Sequence, residues 1–207
     1  VKEYALTHGL EVYQPTKMRD GNALAIVREL QPELIVVAAY GRILPEDILT
    51  LPPFGSINVH SSVLPKYRGA APINWAILDG QKETGVTIMY MTRDLDAGDI
   101  VCSKKTDIMP DEDARELTHR LALLGADALE DAIGKIADGT AVRTPQDHSA
   151  STYAPMLSKD LSPMDWTRSA QALHDQVRGL IPWPCASMEL GGKKVKVFKT
   201  RMGGEIN

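Results

Sequence analysis

The sequence lacks the features that mark several common protein classes. Its two cysteines, Cys102 and Cys185, are far apart and form no CxxC pair, so they predict neither a disulfide framework nor a zinc site. No apolar run approaches the roughly 18 residues of a membrane-spanning helix, and nothing resembles a signal peptide. We therefore expect a cytoplasmic protein with reduced thiols and no membrane contact.

Positive charge is not in excess either. Lysine and arginine total 23 against 27 aspartates and glutamates, which leaves a net charge of −4 and no overall nucleic-acid signature. Any contact with tRNA or DNA must therefore be local or come from residues outside this sequence. The 43% hydrophobic and 24% charged content is typical of a globular chain, and 207 residues suit one large domain or one domain with part of another.

Several catalytic and nucleotide-binding motifs are missing. The sequence has no GxGxxG turn and no P-loop, so a dinucleotide or ATP site is unsupported, although a first βα turn ahead of Val1 would escape this test. There is also no GxSxG elbow. An aspartate-rich stretch at residues 93–99 lacks the spacing and the final glutamate of an EF-hand, which argues against calcium.

Hydrophobic patterning predicts an α/β fold. Residues 34–39 form a continuous apolar run, which is typical of a strand buried on both faces of a parallel sheet. The alternation of strands and helices indicates βαβ units, with the last strand antiparallel to its neighbour. The predicted strands are 12–13, 34–39, 56–60, 84–91 and 100–108, and the predicted helices are 1–8, 20–30, 45–49, 71–78 and 111–138.

The rest of the chain has a different pattern. Periodicity is lost over residues 140–165, and a helix is predicted over 169–180. A hairpin of strands 185–190 and 195–200 then turns at Gly191-Gly192. Lysines cluster on this hairpin, where they either protect an edge strand or contact nucleic acid.

Asn58 and His60 are the strongest candidates for chemistry. They stand two apart on the predicted strand 56–60, so they share one face if Ile57 and Val59 face the core. An amide donor beside an imidazole suits chemistry at a carbonyl, where one group holds the developing oxyanion and the other moves protons. The structural alternative is a strand end with two satisfied polar residues.

Three loops are expected to meet beyond the carboxyl ends of the strands, where ligands bind in doubly wound sheets. These loops are residues 40–44, 58–69 and 92–98. The third holds Asp94 and Asp96, and a carboxylate that meets His60 would fix the imidazole and favour its protonated form. Ser62 is a possible nucleophile, but the Val-Leu-Pro that follows it is typical of a loop that lines a flat ligand.

Three stretches of the sequence resemble the 10-formyltetrahydrofolate-dependent formyltransferases. They are Ile-Asn-Val-His-Ser-Ser-Val-Leu-Pro-Lys-Tyr-Arg-Gly-Ala-Ala-Pro-Ile at 57–73, Glu-Thr-Gly-Val-Thr-Ile-Met at 83–89 and Asp-Leu-Asp-Ala-Gly-Asp-Ile at 94–100. The resemblance extends over most of the chain. Within the family, the stretches 68–73, 152–159 and 181–184 are most similar to the members that formylate initiator methionyl-tRNA.

The resemblance implies a catalytic trio of Asn58, His60 and Asp96. Asn58 would bind the formyl oxygen, His60 would stabilise that charge or relay protons, and Asp96 would position His60. It also implies 10-formyltetrahydrofolate as co-substrate, no metal, and initiator methionyl-tRNA as partner. The implied folate-binding residues are Ser62, Val63, Leu64, Pro65, Tyr40, Gly41, Ile43, Leu44 and Asp94, and the candidate tRNA contacts are Arg42, Arg68, Lys193 and Lys194.

The fold that the resemblance implies is a Rossmann-like formyltransferase domain, incomplete at its N-terminus, followed by a linker and the start of a small OB-like β-barrel. The implied bounds are 1–139 for the catalytic domain, 140–182 for a linker region with a helix, and 183–207 for the truncated barrel. Val1 in place of Met also suggests a fragment, and we expect a monomer at full length.

Other functions stay open at this point. One is a member of the same family that acts on a smaller amine, either glycinamide ribonucleotide or an amino sugar nucleotide. Another is the folate-binding hydrolase domain of a formyltetrahydrofolate dehydrogenase. The third is a non-catalytic folate- or RNA-binding module.

Overall fold

The structure, a computed structural model, describes residues 1–203 of the chain. The α-helices are α1 (Lys2–Thr7), α2 (Asn22–Leu30), α3 (Glu46–Leu49), α4 (Pro72–Leu78), α5 (Ala114–Ala137) and α6 (Ala170–Gly179). The strands are β1 (Ile35–Ala38), β2 (Ser56–His60), β3 (Arg68–Gly69), β4 (Glu83–Tyr90), β5 (Ile100–Asp107), β6 (Tyr153–Ala154), β7 (Ala186–Leu190) and β8 (Lys193–Val197). The strand predicted at residues 12–13 is wrong, because a run this short needs a partner strand and finds none in the described chain.

The central sheet has the strand order β1-β2-β4-β5. β1 runs parallel to β2, whereas β4 is antiparallel to both of its neighbours. The sheet is therefore mixed, and the expected βαβ unit is β1-α3-β2. β1 is less buried than its apolar run predicts, with Val36 40% exposed, because β1 lies at the edge of the described sheet.

Helix α5 covers one face of this sheet and forms the core with it. Leu117, Leu121 and Ala128 recur at helical spacing and pack with Ile57 of β2 and Val86 of β4 in one buried cluster. A one-residue change of register would turn this apolar set outward, so the cluster fixes the faces of β2. The opposite face of β2 is left for its polar residues.

The C-terminal part begins with α6, which packs on α4. A Cβ at Gly179 would lie 2.9 Å from Leu78 Cδ2, so glycine permits the close contact between these helices. The hairpin of β7 and β8 turns at Gly191 and Gly192, whose positive φ values of 58° and 73° suit a two-residue turn of type I′. The predicted turn is confirmed, although β8 is Lys193–Val197 and not 195–200.

The bounds of the domains, at residues 139 and 182, stay a prediction. Among residues 1–203, no helix combines the length and the apolar character needed to cross a membrane.

Candidate active site

Asn58 and His60 lie on the face of β2 that is turned away from α5. In the antiparallel register Asn58 pairs with Met89 and His60 pairs with Thr87, and directly paired residues project from the same face. Met89 forms part of the wall of a cavity. The two polar residues therefore share one face, as predicted, and that face borders the cavity.

The His60 ring is buried and contacts an acceptor at each nitrogen. Nε2 lies 2.9 Å from the Tyr67 carbonyl oxygen, so this nitrogen carries a proton and donates it. Nδ1 lies 3.6 Å from Asp96 Oδ2, which is the distance of an ion pair and too long for a hydrogen bond. Both nitrogens thus face an acceptor, which fixes the orientation of the ring.

Asp96 reaches His60 by a route that the sequence did not predict. Because β4 runs antiparallel to β2, it ends beside the beginning of β2, so the loop 92–98 does not start at the carboxyl end of β2. The loop folds back along the sheet, and Asp96 adopts a left-handed conformation with φ 49°. Its Oδ2 accepts a hydrogen bond of 2.8 Å from the Gly69 amide. The expected meeting of Asp96 and His60 occurs, but its expected geometric reason was wrong.

Gln146 is a site residue for which the sequence has no signal, since it lies in the stretch without periodicity after α5. It is 6% exposed. Its side-chain Nε2 donates to the carbonyl oxygens of Asp96 at 2.9 Å and Gly98 at 2.8 Å. Its Oε1 accepts hydrogen bonds from the Arg68 guanidinium at 2.6 and 3.2 Å. One amide thus joins Arg68 to the loop of Asp96.

A cavity of about 510 Å³ adjoins this loop, and its volume is in the range of small-molecule sites. Apolar side chains such as Leu24 and Met91 form much of its wall. The predicted residues that the structure brings to this wall are Arg42, Ile43, Leu44, Asp94 and Asp96. The cavity therefore unites residues from two of the three expected loops.

Tyr40 and Gly41 do not line the cavity. The Tyr40 hydroxyl donates to Met18 Sδ at 3.5 Å, and Met18 itself forms part of the wall. Arg42 is held by a hydrogen bond of 2.6 Å from Nη1 to the Thr16 carbonyl. Tyr40 thus reaches the cavity through a neighbour, whereas Arg42 borders it directly.

The segment 62–65 packs on β4 and stays outside the cavity wall. Ser62 is fully buried, and its hydroxyl donates to the Lys66 carbonyl at 2.6 Å, so it is not placed as a nucleophile. Thr87 Oγ1 donates to the Ser62 carbonyl at 2.7 Å and accepts from the Leu64 amide at 3.2 Å. Thr87 thus holds the loop after His60 against the sheet. Ser62 and Leu64 take part in this anchoring and do not line the cavity.

The candidate tRNA contacts fall into two kinds. Arg68 is half-buried, and besides Gln146 its Nη2 lies 3.2 Å from His148 Nδ1, so its guanidinium is used inside the chain. Lys193 and Lys194 are exposed on β8. The lysines present positive charge to solvent, whereas Arg68 belongs to the framework of the site.

Tyr67, whose carbonyl contacts His60, also makes a hydrogen bond through its side chain. The Tyr67 phenol donates to Asp79 Oδ2 at 3.1 Å. Burial, and next the negative charge of Asp79, raises the pKa of Tyr67 far above its ordinary value, so the phenol keeps its proton. Within the described part of the chain, no three His, Cys, Asp or Glu side chains are grouped as ligands for a metal.

Comparison with known sequences identifies two matching family models. One described as formyl transferase matches residues 2–133, and one described as formyl transferase, C-terminal domain, matches residues 156–206. A methionyl-tRNA formyltransferase from Acetivibrio thermocellus is 47% identical over 207 residues, which cover 100% of this chain and 67% of that protein. A protein of the same name from Alkaliphilus oremlandii is 50% identical over 200 residues, 97% of this chain and 64% of its own length. This chain thus spans about two thirds of the length of the curated relatives it matches.

Solved structures share the fold at lower identity. A 4-N formyltransferase from Francisella tularensis has a TM-score of 0.79 at 16% identity, and the match covers 99% of this chain and 82% of that one. HypX from Aquifex aeolicus in complex with tetrahydrofolic acid has a TM-score of 0.77 at 19% identity, over 95% of this chain and 34% of that one. These likenesses, with the family models, confirm the Rossmann-like α/β fold followed by a C-terminal formyl transferase domain.

Proposed function

The chain belongs to the formyl transferase family, and we propose that it is the larger part of a methionyl-tRNA formyltransferase. The complete protein transfers the formyl group of 10-formyltetrahydrofolate to the α-amino group of methionine on initiator methionyl-tRNA, which supports the start of translation. The observation that carries this proposal is the contact between His60 and Asp96, because Asp96 lies on the cavity wall and Asn58 shares the face of β2 with His60. Relatives of that name, 47% and 50% identical over nearly the whole chain, support the choice of acceptor.

The cavity fits the folate co-substrate by shape and by chemistry. Its apolar wall, which includes Ile43, Leu44 and Met89, suits the flat face of a pterin ring. Asp94 on the same wall can accept hydrogen bonds from ring N–H groups. When bound, this co-substrate supplies a formyl carbon attached to a nitrogen that can leave.

Asn58 is the group that stabilises charge on the formyl oxygen. Its side chain is half-buried on the cavity side of β2, and no hydrogen bond to its amide occurs within residues 1–203. The amide N–H is therefore available to an oxygen that becomes negative during the transfer. Removal of one such donor typically costs about 2.7–4 kcal/mol of transition-state stabilisation.

His60 and Asp96 carry the proton transfer. The amine nitrogen bonds to the formyl carbon, the bond from that carbon to the folate nitrogen breaks, and one proton passes from the first nitrogen to the second. Asp96 Oδ2 is held by the Gly69 amide, whereas Oδ1 has no hydrogen-bond partner in the described chain and can accept the amine proton. The His60 ring beside Oδ2 keeps the Asp96 carboxylate facing the site.

The proposal is tested by formyl transfer to charged initiator tRNA with the complete protein. Asn58→Ala is expected to lower kcat about 10²–10³-fold, because one oxyanion donor is lost. His60→Ala should also lower kcat strongly, since the imidazole that faces Asp96 disappears. His119→Ala is the matched control, because His119 is exposed on α5, on the other side of the sheet.

Two results would contradict the proposal in different ways. Wild-type rates in Asn58→Ala and His60→Ala would refute the mechanism. No transfer to methionyl-tRNA by the wild-type protein would refute the acceptor, and the same assay with glycinamide ribonucleotide or an amino sugar nucleotide would then identify a smaller amine.

We further propose that the protein acts in the cytoplasm as a monomer, with the exposed Lys193 and Lys194 and the cavity residue Arg42 in contact with tRNA.

A further inference from the structure

The loop that carries Asp96 is far from the strand end at which Asp96 acts. It leaves β4 beside the beginning of β2 and then returns over the sheet to His60. The return is close, since a Cβ at Gly98 would lie 1.9 Å from the Tyr90 carbonyl oxygen. A loop with this path needs a contact that fixes its backbone at the far end.

Gln146 makes that contact with one amide group. Its Nε2 has two protons, and each meets a carbonyl oxygen of the loop, that of Asp96 and that of Gly98. Because the side chain is nearly inaccessible to water, these hydrogen bonds have no solvent replacement. Both carbonyls follow the Asp96 Cα, so these hydrogen bonds fix the backbone on the C-terminal side of Asp96.

The other end of Gln146 closes a ring. Its Oε1 is fixed by the Arg68 guanidinium, and the next residue, Gly69, donates its amide to Asp96 Oδ2. Two consecutive residues of β3 thus hold Asp96 twice, once through its carboxylate and once through Gln146 and its backbone carbonyl. In this ring the Arg68 guanidinium orients the Gln146 amide.

We propose that Gln146 is a positioning residue of the formyl transfer, which holds Asp96 at His60 by bridging Arg68 to the backbone of the 92–98 loop. This inference rests on the proposed function for its catalytic consequence. Gln146 has no contact with a reacting atom in this arrangement. Its effect on the rate comes from the placement of Asp96, where a shift of about 1 Å can cost about 10²-fold.

The chain offers a matched control in Gln176. This side chain is 5% exposed, and its Nε2 also donates to two backbone carbonyls, those of Leu161 and Pro163. It lies on α6, outside the cavity wall and the His60 contacts. Gln→Glu at either position keeps the shape and replaces the double donor by an acceptor. At position 146 the new carboxylate faces the Arg68 guanidinium, whereas Gln176 Oε1 has no hydrogen-bond partner within residues 1–203, so Gln176→Glu is the harsher change and a demanding control.

The experiment compares Gln146→Glu with Gln176→Glu in the complete protein, with Gln146→Met as a second variant that introduces no charge. We expect kcat to fall about 10–100-fold in both Gln146 variants, with the KM for methionyl-tRNA unchanged. Gln176→Glu should keep the wild-type kcat once folded. Amide hydrogen exchange of the peptide 92–99 should accelerate only in the Gln146 variants, and that of 160–164 only in Gln176→Glu.

Each other outcome argues against the inference. Wild-type kcat in both Gln146 variants would overturn it, as would equal losses of kcat at positions 146 and 176, which indicate a general loss of stability. If the wild-type protein shows no formyl transfer, the proposed function fails. The exchange of the 92–99 peptide then decides alone, and unchanged exchange would overturn the positioning role.

Discussion

The two faces of β4 differ in the contacts that their side chains make. On the face toward α5, Val86 and Ile88 are fully buried in an apolar cluster, and the Thr84 hydroxyl on the same face has no hydrogen-bond partner within the described chain. On the opposite face, Thr87 Oγ1 meets the Ser62 carbonyl, the Leu64 amide and Ser103 Oγ. β4 thus carries a threonine on each face. Thr84 makes no hydrogen bond with its side chain within the described chain, whereas Thr87 joins the loop after His60 to the sheet.

The difference shows what each face requires. Apolar packing is tolerant of detail, because any side chain of suitable volume removes surface from water. A buried polar face tolerates few substitutions, because each buried donor needs an acceptor within hydrogen-bonding distance. The site lies on the second kind of face, and its geometry depends on hydrogen bonds from three loops that are remote in sequence.

The largest expected effect on stability lies on the α5 face. Leu121→Ala should lower the free energy of unfolding by about 2–5 kcal/mol, because Leu121 is 2% exposed and its removal leaves a cavity. The kcat of the folded fraction should stay unchanged, since Leu121 lies across the sheet from Asn58. Urea denaturation and transfer assays measure the two quantities.

The same helix provides the control, because Leu123 is 65% exposed. Leu123→Ala should change the free energy of unfolding by less than about 0.5 kcal/mol. A loss of kcat in folded Leu121→Ala would show that the two faces of the sheet are coupled, and it would contradict the expectation that α5 packing affects stability alone.

A smaller effect is expected from Thr87→Val on the site face. The substitution keeps the shape but leaves the Ser62 carbonyl and the Leu64 amide without their partner, at a cost of about 1–3 kcal/mol. The kcat should fall as well, because the loop that follows His60 loses its anchor. Urea denaturation checks the first expectation and the transfer assay the second.

Thr84→Val is the matched substitution on the α5 face of the same strand. Its hydroxyl makes no hydrogen bond among residues 1–203, so the change should be neutral or slightly stabilising. Equal destabilisation by Thr84→Val and Thr87→Val would remove the distinction between the faces.

The smallest of these effects concerns the start of α5. Asp113 Oδ1 accepts from the Arg115 and Glu116 amides, both at 2.9 Å, and Glu116 Oε2 accepts from the Asp113 amide at 3.0 Å. Asp113→Ala removes this cap and should cost about 1 kcal/mol without an effect on kcat. Thermal and urea unfolding measure the loss.

Glu130→Ala, in the middle of α5, is the control for the loss of one negative charge. Glu130 is exposed, so its removal should change stability by less than about 0.5 kcal/mol. A cost equal to that of Asp113→Ala would show that charge, and not the cap, stabilises α5.

Local patterns predicted the elements well because each pattern is short. Alternation over 56–60 placed Asn58 and His60 on one face, and the period of α5 identified the residues that pack on the sheet. Gly191 and Gly192 predicted the hairpin turn, since a turn of type I′ needs two positive φ angles. The resemblance to formyltransferases added Asp96 to the site, which no local pattern links to His60.

The errors concern direction and partners. Alternation predicts that residues 84–91 form a strand but not that this strand runs antiparallel to β2, so the expected path of the 92–98 loop was wrong. The apolar run at 34–39 predicts burial but not a place at the edge of the described sheet. The sequence shows that Ser62 follows His60 by two residues, but it does not show that the Ser62 hydroxyl donates to the Lys66 carbonyl.

The resemblance to the family, the choice of Asn58, His60 and Asp96 as candidates, and the face that Asn58 and His60 share all follow from the sequence alone. These depend on residue type and on spacing along a few positions, which the chain order contains. The three-dimensional structure was needed to show that Asp96 meets His60 from the far end of β4 and that Gln146 joins Arg68 to that loop. Such contacts join residues 36 to 78 positions apart, so they depend on the direction of each strand and the path of each loop, which no short pattern specifies.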